Sequence, residues 1–175
     1  KLLDKGIHNP IYSIYGFVRL ADEIVDSFHD FDKAKLLNEF KENTKQAIEN
    51  KISLNPILNS FQEAVNKYNI EREHIQDFLS SMESDLNQKK HDEGSYKQYI
   101  KGSAEAVGLM CLRVFCNNNN QLYNDLEKYA IYLGSVFQKV KFIRDISADY
   151  NELKRVYFPQ LNINKFNEEE KNKIE

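Results

Sequence analysis

Apolar residues recur along most of this chain at three- and four-residue steps, the spacing of one helix face, and they alternate over no length that would make a strand. Glycine and proline are scarce (6 and 3), so the breaks they mark are few and readable. Asn9-Pro10 reads as a helix start, with Pro10 at the first helical position, and the segment runs to about Phe28. Asp30 or Asp32 caps a second helix through about Asn50, and Asn55-Pro56 opens a short third to about Lys67. A fourth spans about Glu71 to Asn87 and carries Ile75, Phe78, Leu79, Met82 and Leu86 on one face. Gly94-Ser95 begins a fifth helix that reaches about Cys116. A polar linker, Asn117 to Asn120, precedes a long sixth helix from about Gln121 to Tyr150, with Leu126, Leu133, Phe137, Val140 and Ile146 among its apolar positions. A last, polar helix is expected from about Asn167. With no repeat and no composition break, residues 1–175 read as one all-α bundle.

Composition narrows the class without changing that picture. Hydrophobic residues make up 41% and charged residues 29% of the 175, which suits a globular domain with a sizeable core. A net charge of −3 with no dense basic cluster gives no footprint for nucleic acid. No apolar run approaches the roughly 18 residues of a membrane span, and no signal-peptide pattern opens the chain. Lys1 reads as mid-sequence, so a preceding segment is expected. Cys111 and Cys116, in an apolar helical stretch, are expected to be reduced core residues of a cytoplasmic protein.

The chemistry concentrates in two acidic stripes. On the first helix Arg19, Asp22 and Asp26 occupy a narrow polar strip among Ile14, Phe17, Val18, Leu20, Ala21, Ile24 and Val25. Carboxylates at i and i+4 sit about 5–6 Å apart at Cβ and repel unless something positive lies between them. On the sixth helix Gln138, Lys141, Asp145 and Asp149 share one face, with Arg144 beside them. Each stripe alone reads equally as a solvated face with weak surface ion pairs. Two such helices face to face would make a cage of oxygen ligands for Mg²⁺, which binds a few carboxylates plus substrate phosphates. Glu71-x-x-His74 has the spacing of a di-iron motif, but such a site needs two copies plus further glutamates. No glycine-rich phosphate loop, nucleophile elbow or zinc spacing is present.

The flanking residues complete a pattern. Tyr15, Arg19, Asp22, Glu23 and Asp26 match Tyr-x-x-x-Arg-x-x-Asp-(Asp/Glu)-x-x-Asp. Gln138, Arg144, Asp145 and Asp149 match Gln-x-x-Asn-x-x-Arg-Asp-x-x-x-Asp. Tyr99, Ala104, Val107 and Gly108 match a third signature, and Arg155, Tyr157 and Pro159 an Arg-x-Tyr-x-Pro tail. In these four ordered motifs the chain resembles the squalene/phytoene synthases, head-to-head prenyl transferases of the all-α isoprenoid synthase fold. Gly102-Ser103-Ala104-Glu105 and Phe137-Gln138-Lys139-Val140 look most like phytoene synthases of flavobacterial type.

The resemblance implies a partial domain, without the family's N-terminal segment and C-terminal helices. It implies that two prenyl diphosphates, geranylgeranyl by preference, couple to phytoene in carotenoid biosynthesis through a cyclopropyl diphosphate. Farnesyl diphosphate, giving squalene or dehydrosqualene, is the close variant, and a non-catalytic helical binding or assembly module is the alternative of another class. Asp22, Asp26, Asp145 and Asp149 would hold Mg²⁺ or Mn²⁺, with Arg19 as a further catalytic residue. Tyr15, Tyr99, Gln138, Lys141, Arg144 and Arg155 would bind the diphosphates. Gly102, Ser103, Ala104 and Gly108 would make room for the prenyl chain, or equally serve close helix packing. So apolar a substrate implies loose contact with a membrane surface, although no amphipathic basic helix supports it. One residue departs sharply: Lys141 stands where the family pattern has asparagine, and a lysine offers a cation no lone pair. It holds a diphosphate oxygen, stands in for one metal's charge or marks reduced activity, and the sequence leaves these open. Lys101 and Lys154 are also unusual beside the family pattern.

Overall fold

The computed structural model describes residues 3–88, 90–153 and 155–159, apart from the side chains of 147 and 148. Helices are α1 (Lys5–Asp26), α2 (Lys33–Asn50), α3 (Pro56–Tyr68), α4 (Arg72–Asn87), α5 (Glu93–Ile100), α6 (Ala106–Cys116) and α7 (Asn120–Ala148). Wider π-helical segments, Lys101–Glu105 and Asp149–Leu153, join α5 to α6 and continue α7. Among the described residues there is no sheet, only an isolated bridge between Lys90 and Val156. This is the all-α bundle expected from the sequence. No helix among the described residues is long and apolar enough to cross a membrane.

Local chemistry sets most of the boundaries. Asp32, Asn55 and Asn119 each accept a backbone N–H from the first turn of the helix they precede. Asp92 and Ser95 form a reciprocal capping box at α5. Lys51, Asn69 and Asn117 end α2, α3 and α6 in the left-handed conformation. The expected start of the first helix needs correction. Pro10 lies inside α1, which begins at Lys5 under an Asp4 cap. Its lost hydrogen bond and ring clash fall on the carbonyl of Gly6. Asp4 Oδ1 accepting from Gly6 N at 2.7 Å and His8 Nε2 meeting Leu3 O at 2.9 Å hold that extra turn. The fifth helix is helical over its expected span but carries the π-helical interruption in its middle. The helix expected from Asn167 lies outside the described residues, as does Lys154.

Phe17, fully buried on α1, is the hub of the main core. It stacks flat on Phe61 of α3 at 3.8 Å and also meets Phe40 of α2 at 5.3 Å and Phe78 of α4 at 5.5 Å. Aromatic packing of this kind adds to the area term and fixes the mutual rotation of four helices. Ile14, Ala21, Ile24 and Val25 extend the same face of α1, so its opposite stripe must turn outward. A second, smaller core stacks Phe142 of α7 on Tyr157 at 4.1 Å, with Tyr99 and Ile100 beside them. It fastens the end of α7 and the residues after it beneath the polar end of α1. α6 packs along α7, but the apolar positions Leu126, Leu133, Phe137 and Val140 remain exposed there.

Candidate active site

The α1 stripe emerges where the Phe17 face does not. Tyr15 and Arg19 are exposed, and Arg19 pairs with Glu23 one turn on. Asp22 is half-buried, and loss of water pushes its carboxyl up to about 6, against the pull of Lys141. Asp26 accepts from the Arg155 guanidinium at 2.7 Å. Lys33 Nζ donates to the carbonyls of Val25 at 3.0 Å and Asp26 at 3.4 Å, fixing the last turn of α1 beneath that carboxylate.

The α7 stripe meets this one electrostatically. Burial, with Asp145 next, raises Asp149 to about 6, and Lys141, Arg155 and Asp26 all act on it. Arg144 grips Asp145 through two 2.7 Å hydrogen bonds, which hold its carboxyl below the ordinary range. Lys141 therefore lies among carboxylates of both helices: Asp22 on α1, Asp145 and Asp149 at the end of α7. Had Asp22 and Asp26 stood on a remote wall, no such cross-talk would exist.

Beneath the stripes lies a group of buried polar residues centred on Asp85, which sequence reasoning did not assign. Asp85 of α4 accepts from the Tyr99 hydroxyl at 2.7 Å and from that of Tyr157 at 3.2 Å, and Arg155 Nε stands 3.8 Å away. Burial raises the Asp85 carboxyl to about 6 in spite of these partners. Tyr99, expected to orient a diphosphate, has its hydroxyl committed to Asp85 in a buried position. The missed signal was present: Phe78, Met82 and Asp85 fall at i, i+4 and i+7 on the core face of α4.

From this polar end an open apolar groove of about 570 Å³ runs between α6 and α7. Gln138 and Lys141 line it at the acidic end, Tyr129, Leu133 and Phe137 along one wall, and Ser103, Ala104 and Gly108 along the other. Among the small residues, Gly108 both lines the groove and packs closely on α7, where a Cβ would stand 3.2 Å from the Ala130 carbonyl oxygen. Gly102 serves packing, since a Cβ there would meet Ser81 Cβ at 2.8 Å and run into the Asp77 carbonyl. Gly134 does the same on α7, where a Cβ would stand 2.8 Å from the Ala104 carbonyl. Cys111 also lines the groove, while Cys116 is buried, and both are free.

The squalene/phytoene synthase family model matches residues 1–172. This chain belongs to the squalene/phytoene synthase family. A presqualene diphosphate synthase of Rhodopseudomonas palustris is 24% identical over 162 residues, 91% of this chain and 56% of that protein. The crystal structure of a dehydrosqualene synthase in complex with ligand superposes with a TM-score of 0.74 at 22% identity, over 89% of this chain and 52% of the other. The chain therefore spans about half the length of these relatives. Within the family's pattern, both acid motifs come to one end of one groove, and the Arg-x-Tyr tail folds beneath them.

Does this set of residues suit a divalent cation? Among the described residues no three candidate ligands converge on one point. The donor chemistry nevertheless suits a hard cation: four carboxylates from α1 and from the end of α7 and its continuation, two of them raised to about 6 chiefly by burial. Asp26 and Asp145 are meanwhile turned to Arg155 and Arg144, contacts that a cation would have to share.

Proposed function

We propose that this chain carries the diphosphate-handling end of a head-to-head prenyl transferase, which couples two prenyl diphosphates through a cyclopropyl diphosphate. The observation that carries the reading is the junction of two acid stripes, from α1 and α7, at the polar end of an apolar groove. A soluble polar ligand would need the first feature but not the second. The phrases in the π-helical segment before α6 and in α7 favour geranylgeranyl diphosphate and phytoene; the relatives, named for presqualene diphosphate and dehydrosqualene, favour the shorter farnesyl diphosphate.

Asp22, Asp26, Asp145 and Asp149 would hold Mg²⁺ or Mn²⁺, which when bound would neutralise charge on the departing diphosphate. Arg19 and Arg144, exposed at the rim, are free to swing from their carboxylate partners to diphosphate oxygens, which make equally strong charge-assisted bonds. Tyr15 and Gln138 flank the same rim and would orient the diphosphate. Lys141 brings a fixed positive charge to the point where negative charge accumulates. Loss of one diphosphate leaves an allylic cation, which the second chain's double bond attacks. The Tyr129 and Phe137 rings on the groove wall would offer that cation their π faces.

The test is incubation of the full-length protein with C15 and C20 diphosphates, with product identification and diphosphate release as readouts. Release should stop with EDTA and in Asp22→Ala and Asp145→Ala. Folded protein that turns over neither substrate would instead make this a non-catalytic relative.

A further inference from the structure

Asp85 has no part in the scheme above, yet it is the most deeply buried carboxylate beneath the site, 8% exposed. A carboxylate removed from water is strongly disfavoured unless donors surround it. Two hydroxyl donors and one guanidinium charge arrive here from two separate parts of the chain: Tyr99 from α5, and Tyr157 and Arg155 from the tail beyond α7. The same Arg155, 7% exposed, also donates through Nη1 to Asp26 at 2.7 Å and to the Tyr157 hydroxyl at 3.4 Å. One guanidinium is thus shared between a buried carboxylate and a carboxylate of the site. Its Nε faces Asp85 and its Nη1 faces Asp26. Flat packing of Tyr157 on Phe142, with Tyr99 tilted against both rings, leaves this arrangement little room to shift.

We propose that Asp85 is a positioning residue, whose carboxylate holds back the Arg155 guanidinium and so sets how firmly Asp26 is gripped and how readily it can turn to a cation. Without the charge of Asp85, the whole guanidinium falls to Asp26, and a divalent ion must displace a stronger competitor. Tyr99 acts through Asp85 by supplying it a hydrogen bond. The proposal rests on the preceding functional reading only where it treats Asp26 as a ligand.

The test uses the full-length protein as wild type, Asp85→Asn, Arg155→Gln, the double variant and Tyr99→Phe. Two quantities are read. One is the NMR signal of the Arg155 Nε–H group, assigned by its loss in Arg155→Gln. The other is Mn²⁺ affinity by electron paramagnetic resonance with inorganic pyrophosphate present. Asp85→Asn should shift or broaden the Arg155 signal and weaken Mn²⁺ binding by about tenfold, the usual scale for a partner behind a metal ligand. Adding Asp85→Asn to Arg155→Gln should cost nothing more, because the effect runs through the guanidinium. Tyr99→Phe keeps the charge but takes one donor from Asp85, so it should shift the Arg155 signal without weakening Mn²⁺ binding. An unmoved Arg155 signal in Asp85→Asn, or an equal loss of affinity in the Arg155→Gln background, overturns the proposal. Should Asp85→Asn not fold, an unmoved Arg155 signal in Tyr99→Phe overturns it and a shifted one supports it. Should the wild type bind no Mn²⁺ with pyrophosphate, the metal reading of Asp26 fails, and the NMR signal still decides whether Asp85 holds Arg155.

Discussion

Asp22→Asn should make the metal-free protein more stable at neutral pH while removing a carboxylate that the proposed function assigns to the metal. Burial raises the Asp22 carboxyl from an ordinary 3.8 to about 6. A folded-state pKa above the unfolded one means that the native protein binds this proton more tightly. The associated stability is fully present below about pH 4 and is lost as pH rises through about 6. Roughly two units at about 1.4 kcal/mol each give a ceiling near 3 kcal/mol. Asp22 is only half-buried, so solvent screening reduces this to about 1.5 kcal/mol. For a domain of this size that is a rise in Tm of roughly 3–6 °C for the asparagine variant at pH 8. At pH 4.5 only about a third of the difference should remain, since the folded carboxyl is then mostly protonated. Scanning calorimetry of both proteins in EDTA at the two pH values makes the comparison. Equal shifts at pH 4.5 and 8, or a lower Tm at pH 8, would refute the claim that Asp22 is an under-compensated buried charge.

Gly102→Ala should destabilise by about 2 kcal/mol or more, because its Cβ would press on the Asp77 carbonyl and Ser81, and overpacking there must move backbone. Gly16→Ala is the contrast: its Cβ would sit 3.7 Å from Ile57, and the gain in helix propensity should raise stability by about 0.5–1 kcal/mol in urea unfolding. Lys141→Asn removes a charge that acts on Asp22, Asp145 and Asp149 and supplies an oxygen, so Mg²⁺ affinity by calorimetry should rise. If affinity and rate are both untouched, Lys141 takes no part in the metal shell.

Periodicity and caps carried most of the fold. Asp32 and Asn55 placed α2 and α3 because a short side chain reaching a free N–H is a local event, decided by neighbours in sequence. Pro10 misled for the complementary reason. A proline at the start of a helix is only a tendency, and Asp4 and His8 could secure one more turn ahead of it. The acid stripes were legible through spacing, and their mutual approach was a question of tertiary packing, decided by α6 between α1 and α7 and by Arg155 reaching Asp26 from the tail. Asp85 stayed hidden because its significance depends on partners 14 and 72 residues away, which no local pattern announces.

The π-helical segment at Lys101–Glu105 inserts extra backbone into what would otherwise be one uniform rod. Each residue of an α-helix turns the chain by about 100°. Shortening this bulge by one residue would rotate everything beyond it by about that much. Tyr99 could keep its place under the carboxylates, but Val107, Gly108 and Cys111 would swing away from α7. The rod is in effect two differently phased screws, and that offset lets one half anchor charge while the other shapes a greasy trough.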